Sequence, residues 1–205
     1  MDRFQSMPDK EEKAPKMETP IYFDEHADLS LIEGLVAVIG YGNQGRAQAL
    51  NLKESGVNVI VGTIPDESWK AAESDGFEVL GIQNAVEKAR IVLLLVPDEV
   101  QPTVFSESIL PSLTPDKVLC FASGYNITFG MIEPPDHIDI ILVAPRMIGV
   151  GVRQAYLEGK GFFAFIAVHN DQSGKAKQVA LAIAKGIGAT KAGGAVLEVT
   201  FRQEA

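Results

Sequence analysis

Short, wholly apolar runs alternate along this chain with longer segments in which apolar residues recur every three or four positions. Leu35–Ile39 is such a run. It reads as a strand covered on both faces, since buried parallel strands lose the apolar-polar alternation of half-exposed ones. Gln44–Ser55 follows, rich in helix formers, with Gly45, Ala49 and Leu52 on one helical face. The same reading predicts strands over 57–61, 77–80, 91–96, 117–122, 139–144, 162–168 and 196–201. It predicts helices over 67–74, 82–88 and 175–186, and one after Pro97 with Asp98 as its cap. This rhythm implies an α/β class: a Rossmann-like doubly wound, mostly parallel sheet with helices on both faces. Ligands of such sheets sit at the carboxyl ends of the strands. The segments ending at Gly40, Pro97, Ser123 and Pro145 are therefore expected to face one crevice.

Composition narrows the classes. The chain has 205 residues, 46% hydrophobic and 22% charged, enough for one sizeable core. A formal net charge of −9 argues against non-specific nucleic-acid binding and against an anionic membrane surface. No apolar run approaches the ~20 residues of a membrane span. Residues 1–18 are charged and mixed, which excludes a secretory signal and predicts a disordered tail before a domain over 19–205. The single cysteine, Cys120, lies in a strand-like run and reads as a buried, inert thiol. One cysteine makes no internal disulfide, consistent with a reducing, cytoplasmic setting.

The candidate chemistry lies at Gly40-Tyr41-Gly42-Asn43-Gln44-Gly45, a G-x-G-x-x-G between a strand and a helix. In that context the pattern cradles a dinucleotide pyrophosphate. Gly40 permits the turn, Gly42 admits the phosphates close to the backbone, and Gly45 lets helix and strand pack. The competing reading is an ordinary strand-to-helix turn. No metal site is expected: His26, His137 and His169 are scattered and show no ligand spacing.

Several segments together give a more specific signal. They are Asp28-Leu29-Ser30-Leu31, Val38–Gly45, Ala49-Leu50-Asn51-Leu52, Pro97–Gln101, Gly124-Tyr125-Asn126-Ile127, Val143-Ala144-Pro145 and Ser173–Lys177. On these the chain, from about Ile21 to Arg202, resembles the N-terminal domain of the ketol-acid reductoisomerases, the acetohydroxyacid isomeroreductases of branched-chain amino-acid (valine and isoleucine) biosynthesis. The resemblance implies an oxidoreductase that couples magnesium-dependent alkyl migration in a 2-acetohydroxyacid to reduction by NADPH. It implies that this domain holds NAD or NADP, and that a helical C-terminal domain beyond Ala205 supplies the magnesium carboxylates. The resemblance places Tyr41, Gly42, Asn43 and Gln44 at the pyrophosphate turn. Asp98, Glu99, Val100 and Gln101 fall in a second cofactor segment, Gly149 at a further cofactor position, and Ser68 at the adenosine phosphate. Bland readings stand beside these, with Asp98 as a helix cap and Ser68 as a helix start.

The chain departs from the family pattern in places. Ser123 stands where the family carries a catalytic histidine, and a serine cannot bear an imidazolium charge. The loop Thr63-Ile64-Pro65-Asp66-Glu67-Ser68 lacks the arginine that NADP-preferring members place near Ile64, and its acids suit ribose hydroxyls better than a 2′-phosphate. Arg146–Gly151 replaces a loop rich in glycine and proline. The expectation is a reductoisomerase-type dinucleotide domain that prefers NAD and is inactive by itself. Its alternatives are a non-catalytic dinucleotide-binding regulatory module and, more remotely, an unrelated Rossmann sensor. A homo-oligomer is left open.

Overall fold

A computed structural model describes residues 19–205, so the tail predicted over 1–18 lies outside the described residues. A two-residue strand β1 (Ile21–Tyr22) and two 3-10 turns lead to β2 (Val36–Ile39) and helix α1 (Asn43–Glu54). Next come β3 (Val59–Gly62), α2 (Glu67–Ser74), β4 (Glu78–Leu80), α3 (Ile82–Lys88) and β5 (Ile91–Leu94). A short α4 (Gln101–Val104) runs on through a π turn at Phe105–Ile109 before β6 (Val118–Phe121), α5 (Tyr125–Thr128) and β7 (Asp139–Pro145). The chain then forms α6 (Gly149–Leu157), β8 (Phe163–Asn170), α7 (Ala176–Gly186), β9 (Ala195–Glu198) and α8 (Phe201–Glu204).

One sheet holds all nine strands in the order β1-β9-β8-β7-β6-β5-β2-β3-β4. From β4 across to β7 every pairing is parallel. The chain winds outward from β2 through β3 to β4, then from β5 through β6 to β7, so the winding reverses between β2 and β5. This is the doubly wound order, and the reversal opens a crevice at the carboxyl ends of the two strands. Beyond β7 the sheet turns mixed, because β8 is antiparallel to β7 and β1 is antiparallel to β9.

The apolar runs have the predicted cause. Successive strand residues point to opposite faces, and both faces are covered. Val36, Val38, Leu93, Cys120 and Val143 pack into one core with Leu52 of α1, Val152 of α6 and Ile183 of α7. Ala37, Ile39, Leu94, Phe121 and Leu142 pack into the other with Ala85 and Val86 of α3 and Ile109. Leu52 is fully buried, so truncating it to alanine costs about 3 kcal/mol. Cys120 sits in the middle of the sheet, and burial pushes its thiol up to about 12.

Two expectations need correction. The strand over 196–201 ends at Glu198, because Thr200 starts a helix. The Thr200 side chain accepts from the Gln203 amide while the Gln203 side chain accepts from the Thr200 amide, a reciprocal cap. The segment read as a replaced loop at 146–151 instead runs into α6 from Gly149 onward.

Candidate functional site

The glycine-rich turn leaves β2 at Gly40, whose φ of +92° is open to glycine and costly for other residues. A Cβ at Gly40 would also stand 2.8 Å from Val96 of the neighbouring β5 segment. At Gly45 a Cβ would lie 2.0 Å from the Gly40 carbonyl oxygen, so this glycine lets α1 start directly over the turn. Gly42 differs, since nothing lies within 4 Å of a Cβ built there. Its glycine is not required by the protein's own packing. The open side fits a phosphate lying against bare backbone at the amino end of α1, where the first helical N–H groups have no carbonyl partners.

A crevice of about 710 Å³ runs along the carboxyl edge of the sheet on this open side. Gly40 to Gln44 form its middle, Thr63, Asp66 and Ser68 one end, and Asp98, Gln101 and Ser123 the other. Ile82, Leu94, Val100 and Val104 supply apolar wall. Glu99 and Gly45 do not line it, and Gly149 lies on the far side of Asn43, in an outer groove with Arg46 and Asp75.

At the first end, Asp66 caps α2. Its Oδ1 accepts from the Ser68 amide at 2.9 Å and from the Ser68 hydroxyl at 2.5 Å, and Thr63 Oγ1 lies 2.9 Å from Ser68 Oγ. These bonds hold the Asp66 carboxyl below the usual carboxylate range, so it stays ionised. Among the described residues, no lysine or arginine lines this crevice.

The other end is a polar network in which Gln101 and Asn126 are buried and Asp98 and Ser123 half-buried. Asp98 Oδ2 accepts from the Ser123 hydroxyl at 2.9 Å and Oδ1 from Gln101 Nε2 at 3.0 Å. The buried amide of Asn126 donates to the Asp98 carbonyl at 2.9 Å and to Gln101 Oε1 at 3.0 Å. Asp98 is therefore not the cap of α4 that the sequence suggested. The Val100 and Gln101 amides go to the Pro97 carbonyl at 3.0 and 3.2 Å, which leaves the Asp98 side chain to the network.

Two groups escaped the sequence reading. Arg146, at the end of β7, donates to Glu204 Oε1 at 2.8 Å and lies 4.8 Å over the Phe165 ring. Glu204 Oε2 also accepts from the Gly124 amide at 2.5 Å, so one nearly buried carboxylate joins α8 to the ends of β6 and β7. Behind the turn, Tyr41 donates its hydroxyl to Asp75 Oδ2 at 2.8 Å while Arg46 grips both Asp75 oxygens at 2.7 and 3.0 Å. Burial, then the Asp75 carboxylate, raises the Tyr41 phenol above its ordinary range. The Arg46 guanidinium holds Asp75 below the usual carboxylate value. The partners of Arg146, Glu204 and Asp75 lie 29 to 80 residues away, with only charge type to mark them in the sequence.

Among the described residues, no cluster of three or more His, Cys, Asp or Glu side chains is placed to hold a metal ion. No helix among them is long and apolar enough to cross a membrane.

Comparison with known proteins gives a family. Residues 30–193 match the model described as acetohydroxy acid isomeroreductase, NADPH-binding domain. The ketol-acid reductoisomerase (NADP(+)) of Pyrobaculum aerophilum is 52% identical over 90% of this chain and 56% of its own length. That of Pyrococcus abyssi is 50% identical over 90% of the chain and 55% of its own. Among solved structures, an NADH-preferring ketol-acid reductoisomerase from an uncultured archean superposes with a TM-score of 0.88, at 46% identity, over 90% of this chain and 57% of that one. The chain thus spans little more than half the length of these relatives.

Proposed function

The chain belongs to the acetohydroxy acid isomeroreductase family, whose NADPH-binding domain it carries, and from that membership we propose that it holds NAD(H) in the crevice with preference over NADP(H). On this reading the backbone of Gly40–Gln44 cradles the pyrophosphate, with Gly45 letting α1 start over the turn. Asp66, kept ionised, accepts hydrogen bonds from the ribose hydroxyls. The network of Asp98, Gln101, Asn126 and Ser123 fixes the far end, where the nicotinamide would supply a hydride.

The observation that carries the preference is charge. A 2′-phosphate at the Asp66 end would meet a carboxylate with no lysine or arginine in the lining to answer it. The relatives divide on the same point: two are named for NADP(+), and the solved archaeal structure is described as NADH-preferring. Titration of NADH and NADPH against the fluorescence of Trp69, the single tryptophan and the neighbour of Ser68, tests both levels. Tighter NADPH binding overturns the preference, and binding of neither overturns the dinucleotide reading.

For the whole reaction we propose the family's chemistry, alkyl migration in a 2-acetohydroxyacid and reduction of the new ketone, to which magnesium would supply Lewis acidity and the dinucleotide a hydride. Among the described residues no three His, Cys, Asp or Glu side chains come together to hold such a metal. Ser123 favours a second reading, a dinucleotide-binding module without catalysis, because its hydroxyl neither carries a charge nor titrates near neutrality. A Ser123→His variant, assayed with 2-acetolactate, magnesium and NADH alongside the rest of a family enzyme, separates the two. Turnover by the native chain under the same conditions supports the enzyme reading, and turnover seen only in the variant supports the module.

A further inference from the structure

Helix α6 starts without a cap of its own. The residue before it, Ile148, has no side-chain acceptor for the first amides. Helix starts leave such amides orphaned, and asparagine is among the residues that serve them. Here an asparagine does so from 107 positions upstream: the Val150 N–H donates to Asn43 Oδ1 at 3.0 Å. Gln44, the next residue of the turn, donates its Nε2 to the Met147 carbonyl at 2.8 Å and accepts from Gln48 at 3.1 Å. Gly149 makes the approach feasible, since a Cβ there would lie 2.1 Å from the Asn43 carbonyl oxygen and 2.4 Å from Oδ1. The side-chain hydrogen bonds of Asn43 and Gln44 thus go to α6, to Met147 just before it and to α1, while Gly42 presents open backbone.

We propose that Asn43 is a positioning residue. It fastens the start of α6 to the dinucleotide turn, so that binding at the turn orders Met147–Val152, and the pyrophosphate is held by the turn's backbone and not by the Asn43 amide. The consequence reaches the rim of the site. Met147 directly follows Arg146, which pairs with Glu204 and lies over Phe165. A turn that seats the cofactor therefore also sets the place of that guanidinium. The need for glycine at 149 arises from Asn43, whose carbonyl and side-chain oxygens a Cβ there would strike.

This coupling rests on the dinucleotide reading above, and its test separates the two. Amide hydrogen exchange is followed in the native chain, in Asn43→Ala and in Asn43→Asp, each with and without NADH. Without ligand, Asn43→Ala is expected to speed exchange at the Val150 amide by about tenfold or more, and Asn43→Asp, which keeps an acceptor, to restore protection. With NADH, the native chain slows exchange over 149–152 and Asn43→Ala does not. Asn43→Ser, too short to reach Val150, repeats the result should alanine unfold the turn. Unchanged Val150 protection in the alanine and serine variants overturns the proposal. So does a tenfold loss of NADH affinity with protection intact, which would make Asn43 a phosphate ligand. If the native chain binds no dinucleotide, the functional reading falls, and the ligand-free exchange still decides the clamp.

Discussion

Ser123 donates its hydroxyl to the carboxylate of Asp98 across 2.9 Å, and Gln101 occupies that carboxylate's other oxygen. Position 123 is thus oriented by Asp98 from a neighbouring strand end. Removing the hydroxyl in Ser123→Ala costs about 1 kcal/mol, because a half-buried carboxylate oxygen loses its donor. Ser123→His places an imidazole beside the same carboxylate, and NADH affinity is expected to stay within about threefold. Urea unfolding measures the first effect and Trp69 fluorescence the second. A larger loss of NADH affinity in Ser123→His would show that this position contacts the cofactor.

Two glycines of one motif should fail in different ways. Gly45→Ala drives a Cβ to 2.0 Å from the Gly40 carbonyl oxygen and is expected to lose about 3 kcal/mol of stability. Gly42→Ala meets nothing within 4 Å and should unfold at nearly the native temperature. It should nevertheless bind NADH at least about tenfold more weakly, since the added methyl occupies the phosphate's approach. Thermal unfolding and cofactor titration of the pair read the split directly.

An arginine at the Asp66 end of the crevice should change the cofactor preference. Ile64 is exposed on the crevice beside Asp66. Ile64→Arg supplies the cation that a 2′-phosphate needs and should move the NADPH-to-NADH affinity ratio toward NADPH by about tenfold, the worth of one charge-assisted hydrogen bond. A ratio unmoved by this change would place the 2′-hydroxyl away from this loop.

Acid should release the tie behind the turn. The Arg46 guanidinium, and after it the Tyr41 hydroxyl, lower the Asp75 carboxyl in the folded chain. A group lowered on folding stabilises fully above its unfolded value, about 3.9, and that contribution disappears as pH falls through the folded value. The stability gap between the native chain and Asp75→Asn is therefore expected to be flat from about pH 8 to 5 and to close below about pH 4. Denaturant midpoints of both proteins across that range give the curve. A gap that widened in acid would contradict the assignment.

The sequence revealed the half of the fold that rests on local pattern. Strands β2, β5, β6 and β7 are buried on both faces, so each reads as a continuous apolar run. Helix α6 was illegible because Gly149-Val150-Gly151-Val152 has poor helix propensity. Packing on α1 and the distant Asn43 cap hold it in place. The glycine turn and the Pro97–Gln101 segment were legible as motifs, and both supply residues to one crevice. The Asp98 network was not, because Gln101, Ser123 and Asn126 meet it through partners up to 28 residues away. A local rule, the capping preference of aspartate, gave Asp98 the wrong bond.

Cys120 offers a use unrelated to any cofactor. Its sulfur lies at the centre of β6, between β5 and β7, with its thiol held protonated by burial. An alkylating reagent can reach it only when the middle of the sheet parts. The rate at which the native chain takes up one thiol label thus becomes a clock for global opening, readable by mass on the unmodified protein. A ligand seated at the carboxyl edge of the sheet should slow that clock in proportion to its occupancy.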